Sequence, residues 1–312
     1  MKIFDAHCDA LSKLYEHRDL LFTQKDERLM TSLPELQEGN VQFQVFAVYV
    51  AEQVHSNSRL TTALHMIDLF YNQVEPSGYR AIRTKEEMLE AKRNDQNGGF
   101  LFLEGAGALE GSLVNLRTLY RLGVRGMGLT WNYRNEVADG CLEPKPGGLT
   151  VFGRQVIREM NHLGMIIDVS HIAEVGFWDT LELSSSPVIA SHSNVKKLCN
   201  HPRNLSDQQI DAMIAKDGVI GLSFIPYFNT SEKRTVYVSD LFKHLDYICE
   251  RGGVENVAFG SDFDGEDLTF GDLTRASTYD FLLNELLKRY KPEEVEKFVQ
   301  KNWLRVLTKV LQ

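Results

Sequence analysis

The first apolar stretch of the chain, IFDAHCDAL, places a histidine and an aspartate two residues apart where a β-strand would end. In extended backbone, side chains at positions i and i+2 point to the same side, so His7 and Asp9 can contact one ion while Cys8 faces away. An imidazole nitrogen and a carboxylate oxygen suit zinc or a similar divalent ion. The pair alone is a weak signal, and its weight depends on the residues that end the other strands.

Four further polar side chains directly follow apolar runs; they are Glu104, His171, His192 and Asp262. A carboxylate can bridge two cations, so we predict that Glu104 joins two metal ions and that His171 and His192 complete the second ion. Asp262, in GSDFDG, is then left as the proton carrier. Two such ions polarise a carbonyl and hold a hydroxide at neutral pH, because zinc lowers the pKa of bound water to about 7.

Each of these residues also has an ordinary structural interpretation. A histidine after an apolar run is more often a hydrogen-bonded structural residue, and DFDG alone is typical of a turn. The metal hypothesis therefore depends on the coincidence of these groups at the same end of five strands. Five other histidines in predicted helices or loops are interpreted as surface or packing residues; they are His17, His55, His65, His162 and His244.

The elements that must position these side chains alternate along the chain. Eight apolar runs predict strands: KIFDAH, VQFQVFAVYV, GFLFLEG, VRGMGLT, MIIDVSH, PVIASH, GVIGLSF and VAFGSD. Between them, apolar residues recur at three- and four-residue spacing, which predicts helices. The clearest such segments are 59–74, 85–93, 152–163, 207–216 and 239–251.

This alternation, without a Pro/Gly/Ser-rich linker, favours a single α/β domain over residues 1–312 that forms a (β/α)8 TIM-like barrel. Division into two domains is the alternative. Two segments after the eighth strand, STYDFLLNELLKRY and PEEVEKFVQKNWLRVLTKVL, predict extra C-terminal helices packed outside the barrel. Pro292, followed by two glutamates, is typical of a helix start. The active site of a TIM barrel lies at the carboxyl ends of its strands, where the polar residues fall.

Composition narrows the class of protein. The chain is 43% apolar with a formal net charge of −9 and no block of Lys and Arg, so we expect small-molecule substrates and neither nucleic acid nor a membrane as partner. No run approaches the roughly 18 apolar residues of a membrane span, and the first residues are too charged for a signal peptide. The four cysteines lack CxxC spacing. We therefore expect a cytoplasmic protein with reduced thiols.

Six motifs then occur in order: DAHCD, FLEGAG, DVSH, ASHSN, HPRNLSD and GSDFDG. Together they resemble the membrane dipeptidase (renal dipeptidase) family of the amidohydrolase superfamily, over about residues 1 to 310. The resemblance implies a TIM-like barrel with a binuclear zinc centre that hydrolyses dipeptides, often with a D-residue on the carboxyl side. It also suggests a homodimer.

The resemblance assigns the residues as the strand ends do, with His7 and Asp9 on the first zinc, Glu104 as the bridge, and His171 with His192 on the second zinc. It makes Asp262 the catalytic aspartate and adds Arg203, in HPRNLSD, as the residue that grips the substrate. A planar guanidinium pairs bidentately with a carboxylate, which suits the carboxyl end of a dipeptide.

The chain departs from the mammalian members of the family at one place. Their LTH after the fourth strand is here Leu129, Thr130 and Trp131, so the histidine expected to steady the carbonyl oxygen of the substrate is absent. The substrate-binding tyrosine expected after the seventh strand matches Tyr227, in SFIPYF, only by approximate alignment.

Three functions follow as hypotheses. The first is a zinc-dependent dipeptidase with two zinc ions per chain, in which a metal-bridging hydroxide attacks the peptide carbonyl. The second, suggested by Trp131, is a related binuclear amidohydrolase that acts on another small amide or ester. The third is a catalytically weakened metal-binding barrel, which Asp262 disfavours because a purely structural metal site needs no proton carrier.

Overall fold

The sheet consists of nine parallel strands in a computed structural model that describes residues 1–312. The strands are β1 (Ile3–Cys8), β2 (Val41–Tyr49), β3 (Arg80–Ala81), β4 (Gly98–Glu104), β5 (Val124–Gly128), β6 (Ile166–Asp168), β7 (Ile189–Ala190), β8 (Val219–Leu222) and β9 (Val257–Phe259). Eight of them follow one another in chain order, while β3 pairs only with β4. The eight predicted strands are confirmed. The two-residue β3 was not predicted, because two residues are too few to show a period.

The sheet curls into a barrel whose seam lies between β1 and β9. At this seam Cys8 forms a single parallel bridge with Phe263. The Asp262 backbone N–H donates to the His7 carbonyl at 3.1 Å, and the Asp9 N–H donates to the Phe263 carbonyl at 2.9 Å. The buried Asp5 carboxylate accepts from the Ser261 N–H and hydroxyl at 2.8 and 2.7 Å. These bonds fix the end of β1 against the loop that follows β9.

Helices surround the barrel as the apolar periodicity predicts. They are α1 (Ala10–Glu16), α2 (Leu33–Glu38), α3 (Arg59–Leu69), α4 (Lys85–Arg93), α5 (Leu113–Arg121), α6 (Val151–Leu163), α7 (Glu174–Leu183), α8 (Asp207–Ala215), α9 (Pro226–Asn229), α10 (Val238–Glu250), α11 (Tyr279–Leu287), α12 (Pro292–Glu296) and α13 (Asn302–Val310). Two π-helical segments, Phe70–Val74 and Lys297–Lys301, follow α3 and α12. Pro292 stands at the first turn of α12, as predicted. No helix combines the length and the hydropathy needed to cross a lipid bilayer.

The barrel interior is filled by side chains from seven of its eight main strands, which join one buried cluster that includes Phe4, Phe43, Phe100, Ile166, Ile189, Val219 and Ala258. Only β5 contributes none. A Cβ on its Gly126 would lie 2.5 Å from the Phe102 ring, so the phenylalanine occupies that space. The cluster is thus a packed core and not a pore, as in other barrels of this kind.

The last helix takes a place that the sequence did not predict. We expected α13 to pack outside the barrel, without predicting that six residues from this end of the chain would also join the interior cluster: Trp303, Leu304, Val306, Leu307, Val310 and Leu311. Trp303 is 1% exposed, lies 6.1 Å from the Phe4 ring, and donates its indole N–H to the Phe259 carbonyl at 3.0 Å. Burying one such apolar side chain stabilises the fold by roughly 1.5–3 kcal/mol. Helix α13 therefore closes the floor of the barrel.

Candidate metal centre

The six side chains proposed from the strand ends converge at the carboxyl mouth of the barrel. His7 is the second-last residue of β1 and Glu104 is the last residue of β4. The other four lie within three residues after a strand: Asp9, His171, His192 and Asp262. Two groups of these residues offer ligand atoms within 4.8 Å of one another, namely His7 with Glu104 and His192, and His7 with Asp9 and Asp262. The common mouth explains why residues so far apart in sequence meet.

Glu104 lies at the centre of the cluster with its two oxygens facing different partners. Its Oε2 is 3.5 Å from the His7 Nε2. Its Oε1 is 3.1 Å from the His171 Nε2 and 3.7 Å from the His192 Nε2. One carboxylate oxygen is therefore available to each side, which is the geometry a bridging ligand needs.

On the first side, His7 lacks the partners that a buried imidazole normally has. Its Nε2 is 3.3 Å from the Asp9 Oδ2 and 3.7 Å from the Asp262 Oδ1. The His7 Nε2 and the Asp9 Oδ1 are both buried without a hydrogen-bond partner. Such an atom costs about 1–3 kcal/mol when it stays unsatisfied. A cation held by His7 and Asp9 would remove this cost.

On the second side, two imidazole nitrogens approach each other. The His171 Nδ1 lies 2.9 Å from the Asn132 Oδ1, which can only accept a hydrogen bond, so His171 carries its proton on Nδ1 and a lone pair on Nε2. That Nε2 is 2.8 Å from the His192 Nε2. The ring nitrogens that face the cluster therefore suit metal binding by neutral imidazole.

The protonation states of two of the three histidines also suit metal binding. Burial lowers the pKa of His171 to about 3, with Arg203 adding to the effect, and burial together with His7 and Arg203 holds the pKa of His192 well below its usual value. Burial alone would lower the pKa of His7 too, but Glu104 and Asp9 outweigh it and raise that pKa well above its usual value. His171 and His192 are thus neutral at pH 7, the protonation state in which histidine binds metal.

The carboxylates repel one another where no cation lies between them. Burial raises the pKa of Asp262 to about 7, a rise that His7 opposes and that Asp9 and Glu104 increase. Six carboxylate residues line the cavity above the cluster, against the cations Lys13 and Arg203; they are Asp9, Glu16, Glu104, Asp262, Asp264 and Glu266. The donor set, the unpartnered atoms and this excess of negative charge all fit a site for divalent metal ions.

Two of the six residues hold an unusual backbone conformation. His171 and Asp262 both have φ near +66°, in the left-handed region that residues other than glycine seldom adopt. Such strain persists only where the surrounding structure fixes it, and it concentrates at functional sites. At Asp262 the seam bonds between β1 and the loop after β9 provide that constraint.

A cavity of about 290 Å³ opens above the cluster and includes all three residues proposed to bind substrate. Arg203 is 4% exposed, donates from Nη2 to the His192 carbonyl at 2.8 Å, and keeps a buried Nε without a partner. Tyr227 donates its hydroxyl to the Glu266 Oε1 at 2.9 Å. The Trp131 ring lies 5.3 Å from the Tyr49 ring and 6.0 Å from the His171 ring. The guanidinium and the indole thus reach the same cavity.

The cavity also contains residues that the sequence analysis did not single out: Tyr49, Asn132, His201 and Asp264. Tyr49 is the last residue of β2, a position that the strand-end criterion could have found. The other three lie in loops, where no period predicts a direction. None of the five histidines interpreted as surface or packing residues lines the cavity. One of them, His244, is buried between the Val195 N–H and the Asn229 carbonyl, as a packing residue would be.

Comparisons with known proteins identify the family of this chain. Residues 1–312 match the family described as membrane dipeptidase (peptidase family M19). The chain is 38% identical over 230 residues to an uncharacterised protein in the pqqA 5′ region of Klebsiella pneumoniae, covering 67% of this chain and 81% of that one. It is 33% identical over 267 residues to the dipeptidase verJ of Clonostachys rogersoniana, covering 84% and 68%.

A solved structure is similar over almost the whole chain. It is a metallo peptidase from Rhodobacter sphaeroides, liganded with a phosphinate mimic of the dipeptide L-Ala-D-Ala. The two chains superpose with a TM-score of 0.92 at 25% identity, with 99% of each chain covered. The barrel fold, the match over residues 1–312 and the dipeptidase relative lead to one assignment: the chain belongs to the membrane dipeptidase family, peptidase family M19, and is a metallo-dipeptidase.

Proposed function

We propose that this protein hydrolyses small dipeptides, including those with a D-residue on the carboxyl side, at a centre of two zinc ions. The observation that supports this most directly is Glu104, whose two oxygens face separate sets of imidazoles on the floor of a cavity that also contains Arg203. His7 and Asp9 would hold one ion, His171 and His192 the other, with Glu104 between them. Nitrogen and carboxylate donors of this kind suit zinc.

Bound zinc ions would polarise the peptide carbonyl and lower the pKa of water. The chain's own residues do the remaining work. Asp262 reaches the cavity with 13% of its side chain exposed and with its Oδ1 3.7 Å from the His7 Nε2. From there it can take the proton of the attacking water and deliver it to the leaving amine, the role of a general acid/base.

Arg203 would read the carboxyl end of the substrate. Its guanidinium is buried beside the cluster, and its Nε has no partner of its own. A substrate carboxylate would supply that partner and make a charge-assisted, bidentate pair. The Rhodobacter sphaeroides enzyme, with a mimic of L-Ala-D-Ala bound, supports a dipeptide with a D-residue as the ligand of this cavity.

The proposal is tested by a panel of L-L, L-D and D-D dipeptides assayed beside elemental analysis of the purified protein. We expect about two zinc ions per chain and hydrolysis of dipeptides that include L-D members. A protein with no bound divalent metal, or one that hydrolyses none of the panel, would contradict the proposal.

Arg203→Met is expected to damage kcat/KM for free dipeptides far more than for the same dipeptides with an amidated carboxyl end. The amidated substrates never make the charged contact with Arg203, so their kcat/KM should fall less when the guanidinium is removed. A loss of about 10–100-fold on the free dipeptides corresponds to the roughly 1.5–3 kcal/mol of a hydrogen bond to a charged group. Arg154→Met, which removes a partly exposed arginine paired with Asp179 on the outer helices, is the control. Equal losses on free and amidated substrates would mean that Arg203 only holds its loop.

Trp131 supports a second candidate, a related hydrolase of another small amide or ester. The indole lies between Tyr49 and His171 in the cavity, where its wide ring narrows the space for side chains. Its N–H can donate one hydrogen bond to a developing oxyanion but cannot titrate. Trp131 would therefore determine whether the enzyme prefers another small amide or ester over ordinary dipeptides.

Trp131→Phe is expected to lower kcat for dipeptides by about 10–100-fold, because it keeps an aromatic ring and deletes the donor, and a lost oxyanion donor costs about 10²–10³-fold at most. Trp131→His is expected to raise the rate or to broaden the range of dipeptides accepted. Steady-state kinetics over the same panel measure both effects. If Trp131→Phe changes neither rate nor selectivity, Trp131 is only a wall of the cavity.

A further inference from the structure

Behind His192 lies a chain of hydrogen bonds in which each donor and acceptor can be assigned. The His192 Nδ1 is 2.8 Å from the Ser191 hydroxyl, and this hydroxyl in turn donates to the Asp168 Oδ2. The Asp168 Oδ1 accepts from two backbone N–H groups, those of Ser170 at 2.9 Å and Ser191 at 3.0 Å. Asp168 and Ser191 are 5% and 0% exposed, so water does not compete.

The direction of this chain fixes the tautomer of His192. A carboxylate only accepts, so the single hydroxyl proton of Ser191 is committed to Asp168, and the Ser191 oxygen must accept from the His192 Nδ1–H. The His192 Nε2 then carries a lone pair, as does the His171 Nε2 that lies 2.8 Å away. Two lone pairs at this distance repel each other, and a cation between them would turn the repulsion into coordination.

We propose that Asp168 and Ser191 are positioning residues that act through His192: they hold it in the tautomer that binds the second metal ion and raise the basicity of its ligating nitrogen. This inference rests on the proposed function, because it assumes that His192 is a metal ligand. Outer-shell partners of a ligating histidine act in this way, and losing one typically costs 10–100-fold in metal affinity.

Replacing Asp168 by asparagine gives the sharpest test, because it reverses the donor and acceptor roles along these hydrogen bonds. The two backbone N–H groups require an oxygen at the position of Oδ1, so the amide must turn its NH2 toward Ser191. The Ser191 oxygen then accepts from this amide, and its own proton must find another acceptor. The His192 Nδ1 at 2.8 Å is a better acceptor than the Ser170 hydroxyl at 3.4 Å. This places the His192 proton on Nε2, the wrong nitrogen for a ligand.

The order of the effects on metal affinity is therefore predicted. Apoprotein is titrated with Zn²⁺ against a chromophoric chelator, and with Co²⁺ while the visible absorption of the bound ion is recorded. Ser191→Ala removes the hydrogen bonds behind His192 without reversing them, and it is expected to weaken the binding of one of the two ions by about 10-fold. Asp168→Asn is expected to weaken the binding of that ion by about 100-fold. The double variant should recover to the level of Ser191→Ala, because no hydroxyl remains to protonate the wrong nitrogen.

Asp240→Asn is the matched control, since Asp240, on helix α10, is also buried but pairs with Arg234, away from the cavity. It is expected to lower stability and to leave both metal affinities unchanged. Asp168→Asn with wild-type affinity, or a double variant that binds more weakly than Asp168→Asn, overturns the inference. If the Asp168 variants do not fold, unchanged affinity in Ser191→Ala overturns it instead. Wild-type apoprotein that binds no Zn²⁺ contradicts the proposed function itself.

Discussion

Glu104→Gln is expected to lose at least one of two metal ions and nearly all dipeptide hydrolysis. An amide has a single acceptor oxygen and no charge, so it cannot face His7 with one oxygen and both His171 and His192 with the other, as the carboxylate does. Removing its charge also takes away the negative partner that two dications need. The fall in metal affinity should exceed the roughly 100-fold that the loss of an outer-shell partner costs.

The measurement is elemental analysis after dialysis, together with kcat/KM on a dipeptide substrate. Glu35→Gln is a matched control, because Glu35 is also buried and paired, with Arg275 at 3.3 Å, but lies outside the cavity. We expect that variant to keep its metal and its rate while losing some stability. A Glu104→Gln protein that is fully active without metal would end the binuclear proposal.

Asp262→Asn is expected to lower kcat by about 10²–10⁴-fold, the range found for general acid/base groups, while metal content and fold are largely kept. The asparagine fills the same space at the seam between β1 and the loop after β9, but it cannot receive a proton. Asp267→Asn, an exposed aspartate in the same loop that pairs with Lys13 at 2.8 Å, is the control. Steady-state rates and zinc content are measured on the same preparations.

Two other outcomes would change the role of Asp262. Its Oδ1 lies 3.7 Å from the His7 Nε2, within reach of the same ion. Loss of one metal in Asp262→Asn would make Asp262 chiefly a ligand. A variant with near-normal turnover would assign the proton transfer to another group.

The sequence predicted the barrel because its strands are short apolar runs, buried on both faces, that end in polar residues. The rule that active sites lie at the carboxyl ends of barrel strands then predicted that His7, Glu104 and His192 meet at one mouth. The same rule did not predict Tyr49, the last residue of β2, as a site residue, because tyrosine is common in strands and is not a typical metal ligand. Arg203 came only from the family resemblance, because it lies in a loop beyond β7.

Other features depend on three-dimensional contacts that no period encodes. The DVSH and ASHSN motifs contain Asp168 and Ser191, yet only their histidines indicated chemistry, because the hydrogen-bond direction between the two motifs exists only when β6 and β7 are adjacent. Asn132 likewise acts on His171 from a different loop. The contact of the C-terminal helix with the barrel interior was not predicted, because its amphipathic pattern predicts an apolar face but not the surface that this face covers.

The position of α13 has a consequence for how the chain is made. Of the nine strands β1, which supplies His7 and Asp9, is synthesised first, whereas the floor of the barrel is synthesised only with Trp303 and the residues after it. A nascent chain that has already completed all the strands still exposes Phe4, Phe43 and Phe100 at that open end. The seam also joins β1 to the loop after β9, so both ends of the barrel are completed only by contacts between residues that lie far apart in sequence. Such contacts form slowly, and until they form the exposed apolar surface can aggregate. Assembly of the metal centre is therefore a late event, and the unfinished barrel is the species that most needs protection.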